Sequence, residues 1–183
     1  MKLFLWLIGA LVLSLALLGE AAQRLLRWDR EGVAAGEAWR LVSGHLMHLD
    51  LYHAALNVLA AGLLVSLFGK LFRAWQTALI IFTAVAVIDA GLWWLSDIDW
   101  YVGLSGVLHA FAAAAVVRLI IDRHDPLAWV LAVFGLGKIA WENTVGALPF
   151  MPSATVVVTD VHLYGVLAGM VTGLLLPRLS AAA

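Results

Sequence analysis

A serine and a histidine, each at the head of an apolar stretch, are the residues of this chain best suited to covalent chemistry. Ser105 lies between two glycines in residues 103–106, and His162 lies near the start of the last apolar stretch. A serine hydroxyl is a weak nucleophile until a base removes its proton, and a neutral imidazole is suited to that step near pH 7. The pair predicts acyl transfer through a covalent intermediate, with Ser105 as nucleophile and His162 as base.

The composition places this chemistry in a membrane. Of the 183 residues, 64% are hydrophobic and 13% are charged, whereas a soluble domain is about 45–50% apolar. The net charge of −1 argues against nucleic acid as a partner, and the absence of cysteine excludes disulfides, thiol catalysis and cysteine-ligated metals. We therefore expect an integral membrane protein.

Six apolar stretches are predicted to cross the membrane as helices, at about 20 residues for each span. They cover residues 3–18, 51–68, 74–94, 103–117, 126–144 and 160–176. The first stretch also resembles a signal peptide, although residues 18–23 make a poor cleavage site. The expected fold is an all-α membrane protein with six transmembrane helices in a single domain over residues 1–183.

The distribution of lysine and arginine predicts the orientation. One side of the membrane collects Lys2, Lys70, Arg73, Arg118, Arg123 and Arg178. The other side has only the four arginines of the first loop, which acidic residues dilute. Because cytoplasmic loops are enriched in basic residues, both termini are expected in the cytoplasm.

Counting along the helices places three polar side chains at one depth. Ser105 lies thirteen residues before Arg118, and Asn57 lies thirteen residues before Lys70, which is roughly 20 Å in a helix. His162 falls at a similar height, so all three are expected about 8–10 Å below the outer surface.

The fourth stretch is short, and this predicts a helix whose N-terminus is recessed inside the bundle and faces an aqueous cavity. Free backbone amides and the positive helix end near Ser105 would stabilise an oxyanion there.

Four motifs resemble those of the rhomboid family of intramembrane serine proteases. They are GLSG at 103–106, HLYGVLAG at 162–169, HAALN at 53–57 and the Trp-Arg element that begins WRLVSG at 39. The resemblance implies a six-helix fold, a Ser105–His162 dyad, and an oxyanion hole lined by Asn57 and His53. It also implies that glycines, among them Gly103 and Gly106, support the nucleophile and let the fourth and sixth helices pack closely.

Within that family, GLSGVLHAF, KIAWEN and VVVTDVHLYGVLAG are most similar to the rhombosortase branch. This resemblance implies an enzyme of the bacterial inner membrane, open to the periplasmic side, that needs no cofactor. Its expected partners are exported proteins with a C-terminal Gly-Gly motif, a hydrophobic helix and a basic tail. His109 departs from the family, because many rhomboids carry an aromatic residue there that packs on the catalytic histidine.

The residues leave several alternatives open. Lys138 and Glu142 lie four apart on one helix face and form either a mutual ion pair or a contact with the substrate. The acyl-enzyme could pass to water or to an amine. A rival function is a catalytically inactive rhomboid-like protein that binds transmembrane segments.

No metal site is expected, because the spacing of the first-loop histidines fits no strong template. The loop at 145–158 and the fifth span are expected to form a mobile gate.

Overall fold

The computed structural model describes residues 2–146 and 158–177, with side chains from residue 7 onward. Most of the expected gate loop at 145–158, and Arg178, lie outside the described residues.

The elements in chain order are α1 (Lys2–Leu17), α2 (Gly19–Leu26), β1 (Trp28–Asp29), α3 (Arg30–Ala34), α4 (Arg40–Leu46), α5 (Leu51–Phe68), α6 (Ala74–Trp94), β2 (Trp100–Tyr101), α7 (Ser105–Arg118), a π-helical turn (Leu119–Arg123), α8 (Pro126–Thr144) and α9 (Asp160–Leu175).

The chain is a multi-pass membrane protein built mostly of helices. Among the described residues, three helices are long and apolar enough to cross a membrane: α5, α6 and the 19 residues Ser105–Arg123. A fourth span is possible if residues 7–17 and α2, which meet at a bend of 116°, count as one. α9 is apolar but shorter, and α8 carries Lys138 and Glu142. The six-span count therefore stays a prediction.

The fourth stretch is longer than the sequence suggested. It begins at Ser105, close to the predicted start, but it continues past residue 117 through the π-helical turn to Arg123. The helix continues because Arg118 is buried and donates hydrogen bonds to the carbonyls of Gly173 and Leu176, at 3.3 and 3.1 Å. These carbonyls belong to the C-terminal end of α9, where helical carbonyls lack partners within the helix.

α7 and α9 form the closest helix pair of the fold, and glycines make this possible. A Cβ atom on Gly165 would lie 2.1 Å from the backbone oxygen of Gly106, and one on Gly169 would lie 2.1 Å from that of Ala110. Gly106 takes part in the same contact from the side of α7, since a Cβ there would lie 2.9 Å from the backbone oxygen of Val161 on α9. The expected close packing of the fourth and sixth helices is confirmed by these distances.

The buried core surrounds this pair. α6 packs on both α7 and α9 through Ile80, Ala84, Ile88 and Leu92, which are fully buried. Many other apolar side chains point outward, including Phe82, Phe134 and Leu175 at 71–80% exposure. Exposed large apolar side chains of this number are expected where lipid is the solvent.

The first loop is folded and anchors the segment before Ser105. β1 pairs antiparallel with β2, so Trp28 lies opposite Tyr101. Arg40 donates to the carbonyls of Arg24 and Arg27, both at 2.9 Å, and thereby ties α4 to the end of α2. Arg30 donates to carbonyls at the end of α6, including Leu92 at 2.6 Å. The loop thus fixes where the chain enters α7.

Candidate active site

The GLSG segment forms a rigid turn into α7. Gly103 has a φ of 137°, which side chains rarely tolerate, and a Cβ there would lie 3.2 Å from Cε1 of His53. Its amide donates to the carbonyl of Gly44 at 3.0 Å, and its carbonyl accepts from the hydroxyl of Tyr101. Ser105 follows as the first residue of α7.

Ser105 and His162 come together at the start of the α7–α9 pair. Ser105 Oγ lies 2.9 Å from His162 Nε2, within hydrogen-bond distance. Ser105 is partly exposed, whereas His162 is only 4% exposed. A serine hydroxyl within hydrogen-bond reach of an imidazole is the arrangement that nucleophilic catalysis by serine uses.

Glu142 of α8 contacts the far side of the same imidazole. Its Oε2 lies 2.9 Å from His162 Nδ1 and 2.7 Å from Lys138 Nζ. The Glu142 side chain is 4% exposed and the Lys138 side chain 30%. The ion pair predicted as one alternative is therefore present, and it reaches His162 as well.

His109 lies over the ring of His162. The two ring centroids are 4.2 Å apart with planes at 24°, so the rings are stacked. His109 Nδ1 lies 2.7 Å from the Ser105 carbonyl oxygen, and Nε2 lies 3.0 Å from Lys138 Nζ. The packing expected from an aromatic residue at this position is provided by an imidazole.

A comparison with known protein families shows which family this chain belongs to. A family model described as the rhomboid domain matches residues 35–179, well over half of the chain. The chain belongs to the rhomboid family. Members of the family are generally intramembrane serine proteases. No curated protein matches the chain significantly.

In this rhomboid, Asn57 and His53 lie beside the GLSG turn. Asn57 is 5% exposed and its side-chain amide donates to the His53 carbonyl at 3.0 Å, which leaves its second N–H available. His53 Nδ1 is buried and, among the described residues, has no hydrogen-bond partner. Asn57 therefore has a donor that no other described contact uses, and the His53 ring has a nitrogen without a described partner.

His48 also lies at the GLSG turn, although the sequence analysis considered the first-loop histidines only as metal ligands and gave them no role at the site. Its Nε2 accepts from the amide of Leu104 at 3.4 Å, directly before Ser105, and its Nδ1 faces the Leu46 carbonyl at 3.1 Å. Burial, and to a lesser extent His53, lowers the pKa of His48 to about 4, so the ring is neutral at pH 7. A neutral ring can accept from Leu104 and thereby orient the turn.

Tyr101 is a second residue at the turn that the sequence analysis did not single out. It is 2% exposed and its hydroxyl donates to the carbonyl of Gly103. Burial raises the pKa of the Tyr101 phenol above its ordinary value, so the hydroxyl stays a donor. A signal existed for both residues, because each is a polar side chain close in sequence to a recognised motif.

A pocket of about 480 Å³ lies next to this turn. Its lining includes Tyr101 and Val102 on one side and Thr159 and Asp160 on the other. These residues directly precede the GLSG turn and the histidine of α9 along the chain. The pocket adjoins the segments that lead into the site, but neither Ser105 nor His162 is among its lining residues.

One cluster of described residues has the atoms of a metal site. His109, Glu142 and His162 bring ligating atoms within 4.8 Å of one another. The Lys138 ammonium already bonds two of these residues, His109 and Glu142, so a positive charge lies at the cluster. The expected absence of a metal stays a prediction.

Proposed function

We propose that this rhomboid is an active serine protease in which Ser105 is the nucleophile and His162 the base. The observation that carries the proposal is the 2.9 Å contact between Ser105 Oγ and His162 Nε2. The proton of Oγ passes to Nε2 as Oγ bonds to the scissile carbonyl carbon. His162 then gives that proton to the leaving nitrogen as the C–N bond breaks, which leaves an acyl-enzyme.

The oxyanion of the tetrahedral intermediate needs donors on the other side of Ser105. The Ser105 amide is in the first turn of α7, where amides have no acceptor within the helix. Asn57 and His53 add the side-chain donors that the family resemblance implies. His48 occupies the Leu104 amide, so that group is held in the turn and is not a donor to substrate.

The substrate class we propose is that of the rhombosortase branch: exported proteins that end in Gly-Gly, a hydrophobic helix and a basic tail. An intact helix resists cleavage because its carbonyls are hydrogen-bonded, so the scissile segment must unwind. Glycine lowers that cost by about 1 kcal/mol per residue relative to alanine. Two glycines also avoid a clash beside Gly103, where even an added Cβ would lie 3.2 Å from His53 Cε1.

The location that suits this substrate is the bacterial inner membrane, with the site open to the periplasm. A basic substrate tail would then remain in the cytoplasm, in agreement with the positive-inside rule. The acyl-enzyme passes to water or to an amine on the periplasmic side. Tagged reporters distinguish these two products by mass.

The test is cleavage of a reporter with a Gly-Gly motif, an apolar helix and a basic tail, co-expressed with the full chain. We expect processing by the wild type, none by Ser105→Ala, and none when both reporter glycines are leucine. Mass spectrometry of the mature C-terminus locates the cut. Processing by Ser105→Ala would refute the protease. Binding of the reporter without any cleavage by the wild type would favour the inactive rhomboid-like alternative.

A further inference from the structure

Glu142 lies where a triad would hold its acid, although the sequence predicted only a dyad. Its Oε2 is 2.9 Å from His162 Nδ1, on the side of the ring opposite Ser105. We propose that Glu142 is the positioning residue of a Ser105–His162–Glu142 triad, with Lys138 holding its carboxylate in place. The proposal rests on the proposed protease function, and it replaces the alternative in which Glu142 contacts substrate.

The contacts of Glu142 determine the tautomer of His162. An ionised carboxylate only accepts hydrogen bonds, so Nδ1 of His162 must carry the hydrogen. Nε2 then presents a lone pair to Ser105 Oγ, as a general base must. Without Glu142 the neutral ring could carry its hydrogen on Nε2, and it would then be unable to take the serine proton.

The contacts of His109 determine its tautomer in the same way. The Ser105 carbonyl is an acceptor, so His109 Nδ1 donates to it at 2.7 Å. His109 Nε2 therefore has a lone pair, which accepts from the Lys138 ammonium at 3.0 Å. All the donors and acceptors match when both imidazoles are neutral, Glu142 is ionised and Lys138 is protonated. The hydrogen bonds then form a closed circuit that starts and ends at Ser105.

Each member of the circuit has a separate effect on the reaction. When His162 takes the serine proton it becomes a cation, and the Glu142 carboxylate stabilises that charge. An unpaired carboxylate inside an apolar helix bundle would be costly, and the Lys138 ammonium at 2.7 Å offsets this cost. The stacked ring of His109 keeps His162 from rotating out of line with Ser105.

The circuit also couples α8 to the chemistry. Lys138 and Glu142 are both on α8, whereas Ser105 and His109 are on α7 and His162 is on α9. α8 packs far less extensively on these helices than they pack on each other. His162 is therefore oriented only while α8 lies against the site, and a displaced α8 leaves Ser105 without an oriented base.

The first experiment uses the full chain in detergent or nanodiscs, with the Gly-Gly reporter and a fluorophosphonate probe. Glu142→Gln should lower kcat and the labelling rate of Ser105 by up to about 10⁴, the effect of replacing the triad carboxylate by its amide in a serine protease. KM should change by less than about threefold, because Glu142 does not touch substrate. Glu142→Asp should recover part of the loss. Glu20→Gln, which breaks an exposed pair with Arg24 of the same i,i+4 spacing, is the matched control and should behave as wild type.

The second experiment separates positioning from simple ion pairing. In the variant Lys138→Met with Glu142→Gln, no charge is left unpaired, so folding should be retained even if either single variant misfolds. Positioning by Glu142 predicts that this folded double variant remains slow. Recovery to the wild-type kcat would show that the pair is only structural, and would overturn the proposal.

Substrate binding gives the third readout. In the Ser105→Ala background, adding Glu142→Gln should leave the Kd of the reporter unchanged. A weaker Kd together with an unchanged kcat of Glu142→Gln alone would make Glu142 a substrate contact and overturn the triad. A failure of the proposed protease function would give a different result. Cleavage by Ser105→Ala would refute Ser105 as the nucleophile, whatever the effect of Glu142→Gln.

Discussion

At the scale of residues, exposure separates the proposed nucleophile from the groups proposed to support it. Ser105 is partly exposed, while His162, Asn57 and Glu142 are all 4–5% exposed. A buried supporting group keeps its electrostatic effect, because water does not screen it. The supporting side chains should therefore affect turnover more than they affect the encounter with substrate.

For Asn57 this gives a prediction about the oxyanion. Asn57→Ala should lower kcat by about 10²–10³ with little change in KM, because oxyanion contacts strengthen in the transition state. Steady-state kinetics on the Gly-Gly reporter measure both constants. Asn143→Ala is the control, since Asn143 likewise donates to a carbonyl four residues back, that of Ile139 at 2.8 Å. An unchanged kcat in Asn57→Ala would remove this residue from the site.

His48 gives a prediction about pH. Its folded pKa of about 4 lies below the ordinary 6.5, so the unfolded state binds the proton more readily. The stability that neutral His48 contributes is complete above pH 6.5 and is lost as the pH falls towards 4, up to about 3 kcal/mol. Thermal unfolding between pH 7 and 4 should therefore lower the Tm of the wild type more than that of His48→Gln. Parallel curves for the two proteins would show that His48 is not buried as described.

At the scale of elements, the contact between α7 and α9 sets the position of the dyad. The two residues of the proposed dyad lie in the first turns of these two helices, and the glycines that follow allow the backbones to meet. Because the contact is between backbone atoms, it has little freedom to relax. Side-chain volume added there should be costly even when it is only one methyl group.

Gly165→Ala tests this contact. The new Cβ would lie 2.1 Å from the Gly106 oxygen, so the helices must separate, at a cost of about 1–3 kcal/mol. Gly137→Ala on α8 is the matched control, because its Cβ meets nothing within 4 Å. The control should be neutral or gain about 1 kcal/mol of helix propensity. Unfolding in mixed micelles measures both. Equal stability of the two variants would mean that α7 and α9 do not pack as closely as described.

The helices that the sequence predicted best are those with simple boundaries. α5, α6 and α8 begin and end at the predicted residues because a charged residue directly precedes each helix, and a glycine or serine follows within two positions of its end: Asp50, Arg73 and Asp125 before them, and Gly69, Ser96 and Gly146 after them. The end of α7 was predicted to within one residue, but the π-helical turn that continues it to Arg123 was missed. Arg118, at that junction, donates to carbonyls of α9, and such a contact between elements is not visible in the sequence of one stretch. The short helices α2, α3 and α4 carry too few residues to show a period.

Contacts between elements also separate the site residues that the sequence predicted from those that it did not. Ser105, His162 and Asn57 could be named because motifs in order along the chain carry them. The bond between Glu142 and His162 depends on how α8 and α9 are rotated about their axes, and periodicity within one helix does not contain that angle. His48 and Tyr101 depend on the folded first loop and on the β1–β2 pairing.

At the scale of the whole molecule, the fold is a tight pair, α7 and α9, with α6 packed on both and α8 held at the side by polar contacts. Its orientation in the membrane stays a prediction from basic residues. Because the chain contains no cysteine, single cysteines can report on it without background.

We predict that an impermeant maleimide labels Asp97→Cys on intact cells and labels His124→Cys only after lysis. Both side chains are exposed. Asp97 lies between α6 and α7, near the Ser105 end of α7, and His124 lies beyond the other end of α7. Asp97 follows α6 on the side expected to face outward, and His124 follows the π-helical turn on the side expected in the cytoplasm. The reverse pattern would place the site on the cytoplasmic side and contradict the proposed substrate orientation.

The most direct test of the central claim is to measure which residue a fluorophosphonate modifies in the purified, folded protein. An activated serine reacts with this probe whatever its natural substrate, so the result does not depend on the proposed sorting signal. The account predicts one adduct, mapped by mass spectrometry to Ser105, that is absent in Ser105→Ala and in His162→Ala. An unlabelled wild type, or an adduct that persists at full rate in His162→Ala, would contradict it.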